Sequence, residues 1–269
     1  MTTIKFVSSD DHAPTERLAL LVSLSQITNQ EGGSDLDALY TQALMEEFLC
    51  VDPSSLNSHG QKAYRHRWTV VGAVLLVFNP LSIGNLTDLL TNLCTPSSVS
   101  AILCSFDPLF LNLGGVEDPI CTFDRSFSDF LMDPKRRMDN WFFVEPSVHH
   151  ADLLLSCLNL MKERLERNIC NLNDYATLSR VGDISTCREK RMGGALEYAC
   201  QFWTKHLMEV STCGHNVREV CKAIDVFFTT YLLFWIEALI IMESPDTIVH
   251  AMNEIQEWYT SVSHKYLIS

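Results

Sequence analysis

Phe123-Asp-Arg-Ser-Phe-Ser-Asp-Phe-Leu-Met-Asp-Pro-Lys-Arg-Arg137, running on to Glu145-Pro-Ser-Val-His-His150, is the stretch on which the reading of this chain turns. Phe123, Phe127, Phe130 and Leu131 fall at i, i+4, i+7 and i+8, so one face of a helix is aromatic and apolar while Ser126, Ser128 and Asp129 lie off it. Just upstream, Leu109-Phe-Leu-Asn-Leu113 and Pro119-Ile-Cys-Thr-Phe123 flank Gly114-Gly115, which predicts a β-hairpin.

Further toward the N-terminus the spacing predicts four helices. Leu36, Leu39, Tyr40, Ala43 and Phe48 share one side of the first, with Ser34 or Asp35 as its N-cap. The second covers about Tyr64–Phe78 with Trp68, Val71, Gly72, Leu75 and Phe78 inward, and Asn79-Pro80 ends it. Ser82 caps the third, Ile83–Leu93, and Thr95-Pro96 opens a fourth through about Phe106. Helices joined by a tight turn and followed by a small hairpin make the winged-helix pattern.

Toward the C-terminus the chain reads as all-helical. Leu154, Leu158, Met161 and Leu165 form one stripe of a helix over Ala151–Arg167, with a Glu163/Arg167 pair outside. Gly193-Gly194 precedes a helix through His206. Val220, Ile224, Phe227, Tyr231, Phe234, Ala238 and Ile241 repeat at alternating four and three, the spacing of a packing seam on one helix, and a last helix spans about Pro245–Ser261. The expected fold is mainly α, in three parts: a linker at 1–35, a winged-helix domain with a small β-hairpin at 36–146, and an α-helical domain at 147–269.

Composition excludes several function classes. A hydrophobic share of 47% with 20% charged residues suits a globular chain, and 269 residues suffice for one large domain or two small ones. A net charge of -13 argues against any broad surface for nucleic acid or anionic lipid, both polyanions. The third helix, Ser82–Leu93, holds no Lys or Arg, so it is a poor reader of DNA. The basic runs Lys135-Arg-Arg137 and Arg188-Glu-Lys-Arg191 lie elsewhere and read as surface or as contacts within the protein. Phe227–Met242 is too short for a membrane span and carries Glu237, Thr229 and Thr230.

The 10 cysteines never form a Cys-x-x-Cys pair and read as reduced, buried thiols. The N-terminal apolar stretch is too short for a secretory signal, so the expected location is cytoplasmic. Cys200, His206, Cys213, His215 and Cys221 cluster loosely, but only Cys213-Gly-His215 approaches zinc-ligand spacing, and no metal is expected. His149-His150 tempts as a catalytic base, yet no Ser or Cys in a nucleophile-elbow setting accompanies it.

Taken together, these segments resemble fungal NACHT-type STAND proteins. In that family a line of the form His-x-Ser-Phe-x-Asp-Phe-Leu-x-Asp-Pro-x-Arg closes the winged-helix domain and leads into an x-Pro-x-x-His-His helix. Here Ser126, Phe127, Asp129, Phe130, Leu131, Asp133, Pro134, Arg136, His149 and His150 match it. Animal NACHT receptors have a similar His-x-x-Phe-Gln-Glu-Phe line. The text from Asn168 to Leu207 is again similar to the fungal helical domain, and residues 1–35 to the closing edge of the ATPase.

The resemblance implies a nucleotide-sensing histidine at a position held here by Asp124, and a carboxylate facing phosphate without a metal is repulsive. It also implies a phosphate-cradling loop, and none of Gly32-Gly33, Gly114-Gly115 or Gly193-Gly194 is followed by Lys and Ser/Thr. The expectation is therefore a chain that is no enzyme and binds no cofactor: a truncated relative serving as a regulatory or oligomerisation segment in signalling. Its implied partner is the ATPase domain of an intact homologue or a second copy. The alternative is a stand-alone helical interaction scaffold, which a dominant groove beside Val220–Ile241 would favour. A hydrolase built on His149 or His150 would require a nucleophile within hydrogen-bond reach.

Overall fold

The computed structural model describes Asp37, Tyr40, Thr41 and Leu44, and residues 56–106, 110–111, 117–122, 125–136, 143–171, 184–213 and 216–268, with side chains through 263. The expectations for residues 1–35, for most of 36–48, for Asp124 and for His215 lie outside these residues.

Among the described residues the chain is mainly helical. The elements, in order, are α1 (Ser58–Leu76), α2 (Ile83–Leu89), α3 (Pro96–Ser105), β1 (Phe110–Leu111), β2 (Cys121–Thr122), α4 (Arg125–Met132), α5 (Pro146–Arg164), α6 (Ile184–Arg191), α7 (Gly193–Glu209), α8 (Val217–Thr230), α9 (Leu232–Ile241) and α10 (Asp246–Ile268). They fall into two compact units that interleave along the chain, residues 1–75 with 97–145, and residues 76–96 with 146–269. α2, which the sequence reading placed in the N-terminal domain, thus clusters with the C-terminal helices.

In the first unit, β1 and β2 pair antiparallel, Phe110 opposite Thr122 and Leu111 opposite Cys121. α4 turns Phe127, Phe130 and Leu131 inward, as its period predicts. Tyr40 meets both rings, with centroids 5.2 Å from Phe127 and 5.6 Å from Phe130, and Phe110 stands 6.3 Å from Phe127. α3 contributes Val99, Ile102 and Leu103, spaced i, i+3, i+4. α1 is buried on every side over Val70–Val74, which makes it a core helix along that turn.

The second unit is built around α5 and α7. α5 buries the stripe His150, Leu153, Leu154, Cys157, Leu158 and Met161, and off that stripe it also buries Ala151, Ser156 and Leu160, so it is enclosed on most sides. Each fully buried Leu contributes about 1.5–3 kcal/mol relative to exposure. On α7, Trp203 lies 4.9 Å from Phe227 and 5.9 Å from Trp235. Two indole N–H groups reach carbonyls: Trp235 Nε1 donates to Cys200 O at 2.9 Å and Trp258 Nε1 to Val210 O at 3.3 Å. α2 has the predicted cap, Ser82 Oγ accepting from Asn85 N at 3.3 Å. α7 starts at Gly193, whose φ of +67° suits glycine, and a Cβ on Gly194 would stand 2.5 Å from the Asn85 side chain.

Several element boundaries differ from the sequence reading. The continuous Val220–Ile241 helix is broken at Tyr231 into α8 and α9, bent by 74°. Thr229 Oγ1 bonds back to Asp225 O and Val226 O, a competing bond that weakens the helical ladder at its end. The bend brings both Phe227 and Trp235 onto Trp203, so the inward face of α9 is Trp235, Ala238, Leu239 and Ile241, while Tyr231 and Phe234 are half-buried. Phe78 lies beyond the end of α1 and is 40% exposed, where the spacing had placed it inward. α5 begins at Pro146 and stops at Arg164, so Glu163 and Arg167 form no helical pair. No single helix among the described residues is long and apolar enough to cross a membrane, although α8 and α9 together pass by length and composition.

Candidate functional site

The motif residues of the first unit serve its architecture. Ser126 Oγ lies 2.7 Å from Tyr40 Oη, fixing the start of α4 against the ring that fills its face. Asp129 sits exposed on α4, and Asp133 N donates to its carbonyl at 2.9 Å as the helix closes. Asp133 Oδ1 then accepts from Lys135 N at 2.8 Å, an Asx turn that carries the chain through Pro134. Arg136 reaches Asp37 with Nη2 at 2.6 Å from Oδ1 and Nε at 3.3 Å from Oδ2. This fork takes up one guanidinium of the basic run Lys135-Arg-Arg137. Asp124, the expected nucleotide-sensing position, lies outside the described residues.

The matched histidines belong to the second unit, where the fold joins His150 to two residues that the motif does not contain. His150 Nδ1 lies 2.8 Å from His206 Nδ1, His206 Nε2 lies 2.8 Å from Tyr198 Oη, and Phe78 N donates to that same oxygen at 3.1 Å. With the Phe78 amide donating to Tyr198 Oη, the tautomer assignment that uses the hydroxyl proton inside the cluster has Tyr198 donating to His206 Nε2. His206 then carries its own proton on Nδ1 and gives it to His150 Nδ1, which places the His150 proton on Nε2. Phe78 covers the chain from above, its ring 4.8 Å from His206 and stacked 5.8 Å from His150.

Burial sets the charge state of this cluster. It lowers His206 to about 3, with the neighbouring His150 adding to the shift, and lowers His150 to about 4. His149 is likewise lowered to about 4, by burial first and His150 second, and its Nδ1 has no hydrogen-bond partner. Burial also pushes the Tyr198 hydroxyl and the Cys157 and Cys200 thiols upward, away from their reactive anions. The cluster is a file of neutral donors and acceptors. Among the described residues, neither His149 nor His150 is hydrogen-bonded to a Ser or Cys.

The loose Cys/His group is dispersed. Cys200 and His206 are buried, Cys221 is half-buried, and Cys213 is exposed. Among the described residues, no group of three or more His, Cys, Asp or Glu side chains could hold a metal ion. The second basic run is partly used inside the unit: Arg188 forks onto Glu197 with two 2.6 Å bonds, fastening α6 to α7.

A groove of about 410 Å³ runs between α5 and α8. Leu155, Leu158, Val226 and Phe227 give it apolar walls, and Asp152 and Glu219 bring two carboxylates to it. Asp152 is raised to about 6, by burial first and by Glu219 second. Lys162 and Lys222 also border the groove, yet neither is ion-paired with these carboxylates. Sequence reasoning had no access to this site, because the groove depends on where α8 breaks. The Tyr198–His206 partnership was also missed, although both residues fall on the buried stripe of α7 with Phe202 between them at i+4. Compared with protein-family models, with curated proteins and with solved structures, the chain has no match in any of the three.

Proposed function

We propose that this chain is a non-catalytic regulatory and oligomerisation segment of the NACHT-type STAND kind, acting in cytoplasmic signalling. In this reading, residues 36–146, with α1 to α3, the β1–β2 hairpin and α4, stand for the winged-helix domain, and residues 147–269, with α5 to α10, for the helical domain that follows it. The observation that carries the reading is the linkage of the motif side chains. Ser126, Phe127 and Phe130 all touch Tyr40, and Arg136 of the same line ties to Asp37, so the line acts as an architectural seam. A segment of this sort works by docking, on the ATPase domain of an intact homologue or on a second copy. The test is light scattering coupled to size exclusion, with and without a co-expressed ATPase domain from a fungal NACHT protein. A stable stoichiometric complex supports the reading, and a monodisperse monomer that ignores the ATPase domain overturns it.

The second reading, a stand-alone interaction scaffold, is favoured by one specific observation, the groove bordered by α8 on the very segment where a scaffold would present one. Under that reading the partner binds the helical unit directly and no ATPase domain is involved.

A further inference from the structure

We propose that this chain self-associates by exchanging its α9–α10 arm: the joint at Tyr231 opens, α8 and α9 become one straight helix, and the arm of each copy packs onto α7 of a second copy. The proposal rests on the oligomerisation reading above and gives it a mechanism. Its first support is local. Sharp bends in helices come from Pro, Gly or an interruption of the ladder, and residues 217–241 contain neither Pro nor Gly. The 74° bend sits at Tyr231, whose φ of -112° and ψ of -9° stay in the right-handed region, against about -63° and -42° in a regular helix. Tyr231 N still reaches Phe227 O at 2.8 Å, and Trp235 N reaches Tyr231 O at 3.0 Å. Between them, the amides of Leu232, Leu233 and Phe234 meet no carbonyl across the break. Straightening the joint supplies those bonds, to the carbonyls of Phe228, Thr229 and Thr230.

The second support is that the contacts of the arm can be remade on a second copy. Trp235 lies on Trp203 and donates to Cys200 O, and Trp258 donates to Val210 O at the end of α7, so each of these contacts joins the arm to a residue before the joint. Exchange trades each of them for an identical contact across a two-fold axis, and each copy gains the helical bonds at its joint. A joint this short favours exchange. The apolar repeat agrees with the open form. Its spacing of four and three runs unbroken through the joint, so Tyr231 and Phe234, half-buried in the single chain, share one face of the straight helix with Phe227.

The test is light scattering coupled to size exclusion on the full chain after incubation at high concentration, with hydrogen exchange read at Leu232, Leu233 and Phe234. A dimer is expected in which these amides are protected by about tenfold or more over the monomer. Leu233→Pro is expected to abolish the dimer and leave a folded monomer, because the amide it removes has no acceptor in the bent form while its ring blocks a straight helix at Thr229 O. Leu233→Ala removes the same exposed side chain without blocking the helix and is expected to leave the dimer intact. Thr229→Ala with Thr230→Ala removes the competing back-bond and is expected to raise the association constant by about threefold or more. Equal loss of the dimer in the two Leu233 variants would reduce it to contact between exposed leucines and overturn the proposal. So would a dimer whose joint amides exchange as fast as in the monomer, or association seen only with phosphatidylcholine vesicles, which would make the straight helix a membrane element. A chain that stays monomeric alone, in the threonine variant as well, but binds the ATPase domain would remove the exchange while leaving the regulatory-segment reading intact.

Discussion

The two units handle polar side chains in opposite ways. The first keeps its charges near the surface, where Arg136 and Asp37 pair with 29% and 12% of their side chains exposed, and fills its interior with the rings of Tyr40, Phe110, Phe127 and Phe130. The second buries a connected file of three hydrogen-bonded polar groups, His150, His206 and Tyr198, within the α5–α7 helix pair. An aromatic core tolerates shape changes gradually, whereas a buried polar file is satisfied as a whole or becomes a liability.

The sharpest way to break the second unit is to remove its aromatic hub. Trp235→Ala deletes the ring that meets Trp203 and Phe227 and removes the indole N–H bonded to the Cys200 carbonyl, and a loss of about 4–5 kcal/mol is expected, read as a lower urea midpoint at unchanged slope.

Acid should act on the same unit by a different route. His149, His150 and His206 bind protons at ordinary histidine pH when unfolded but only near pH 3–4 when folded, so the unfolded state takes up more protons below about pH 6.5. Stability is therefore fully present above about pH 6.5 and is lost as the pH falls toward 4. Asp152 opposes this, because its raised carboxyl is protonated in the fold before it is in the unfolded chain. Three histidines against one carboxyl leave a net loss of roughly 4 kcal/mol between pH 7 and pH 5. Urea titrations across that range measure it, and a flat profile would show that the histidines are solvated.

The polar file itself can be tested against its all-apolar counterpart. His206→Leu leaves Tyr198 and His150 unsatisfied, at an expected cost of about 2 kcal/mol. The triple variant His150→Leu, His206→Leu, Tyr198→Phe removes all three side chains and leaves only the Phe78 amide without its acceptor, so it should cost less than the sum of the single changes. In the groove, Asp152→Asn should raise stability at pH 7 by about 1 kcal/mol, because an amide replaces a carboxylate that burial disfavours. Arg136→Ala in the first unit should cost under about 1 kcal/mol, since a partly exposed pair is screened by water.

Much of the helical architecture could be read from spacing alone. The faces of α3, α4 and α5 follow the i, i+3, i+4 rule, and Ser82 is recognisable as a cap because its chemistry is local. The break at Tyr231 could not be read, because the repeat continues through it and the turn is decided by how Phe227 and Trp235 together meet Trp203. The candidate sites suffered the same limitation. His150 was singled out, but its partner lies 56 residues away, and a two-residue His-His pattern carries no information about such a distant neighbour.

The crossed indoles of Trp203 and Trp235, 80° apart at 5.9 Å, also give the molecule an optical signature of its own. Two transition dipoles that close couple excitonically, so the far-ultraviolet circular dichroism of this chain, where the intense indole transition lies, should carry a paired positive and negative band from that contact. The couplet would vanish as soon as α9 swings away from α7, well before the helices themselves melt.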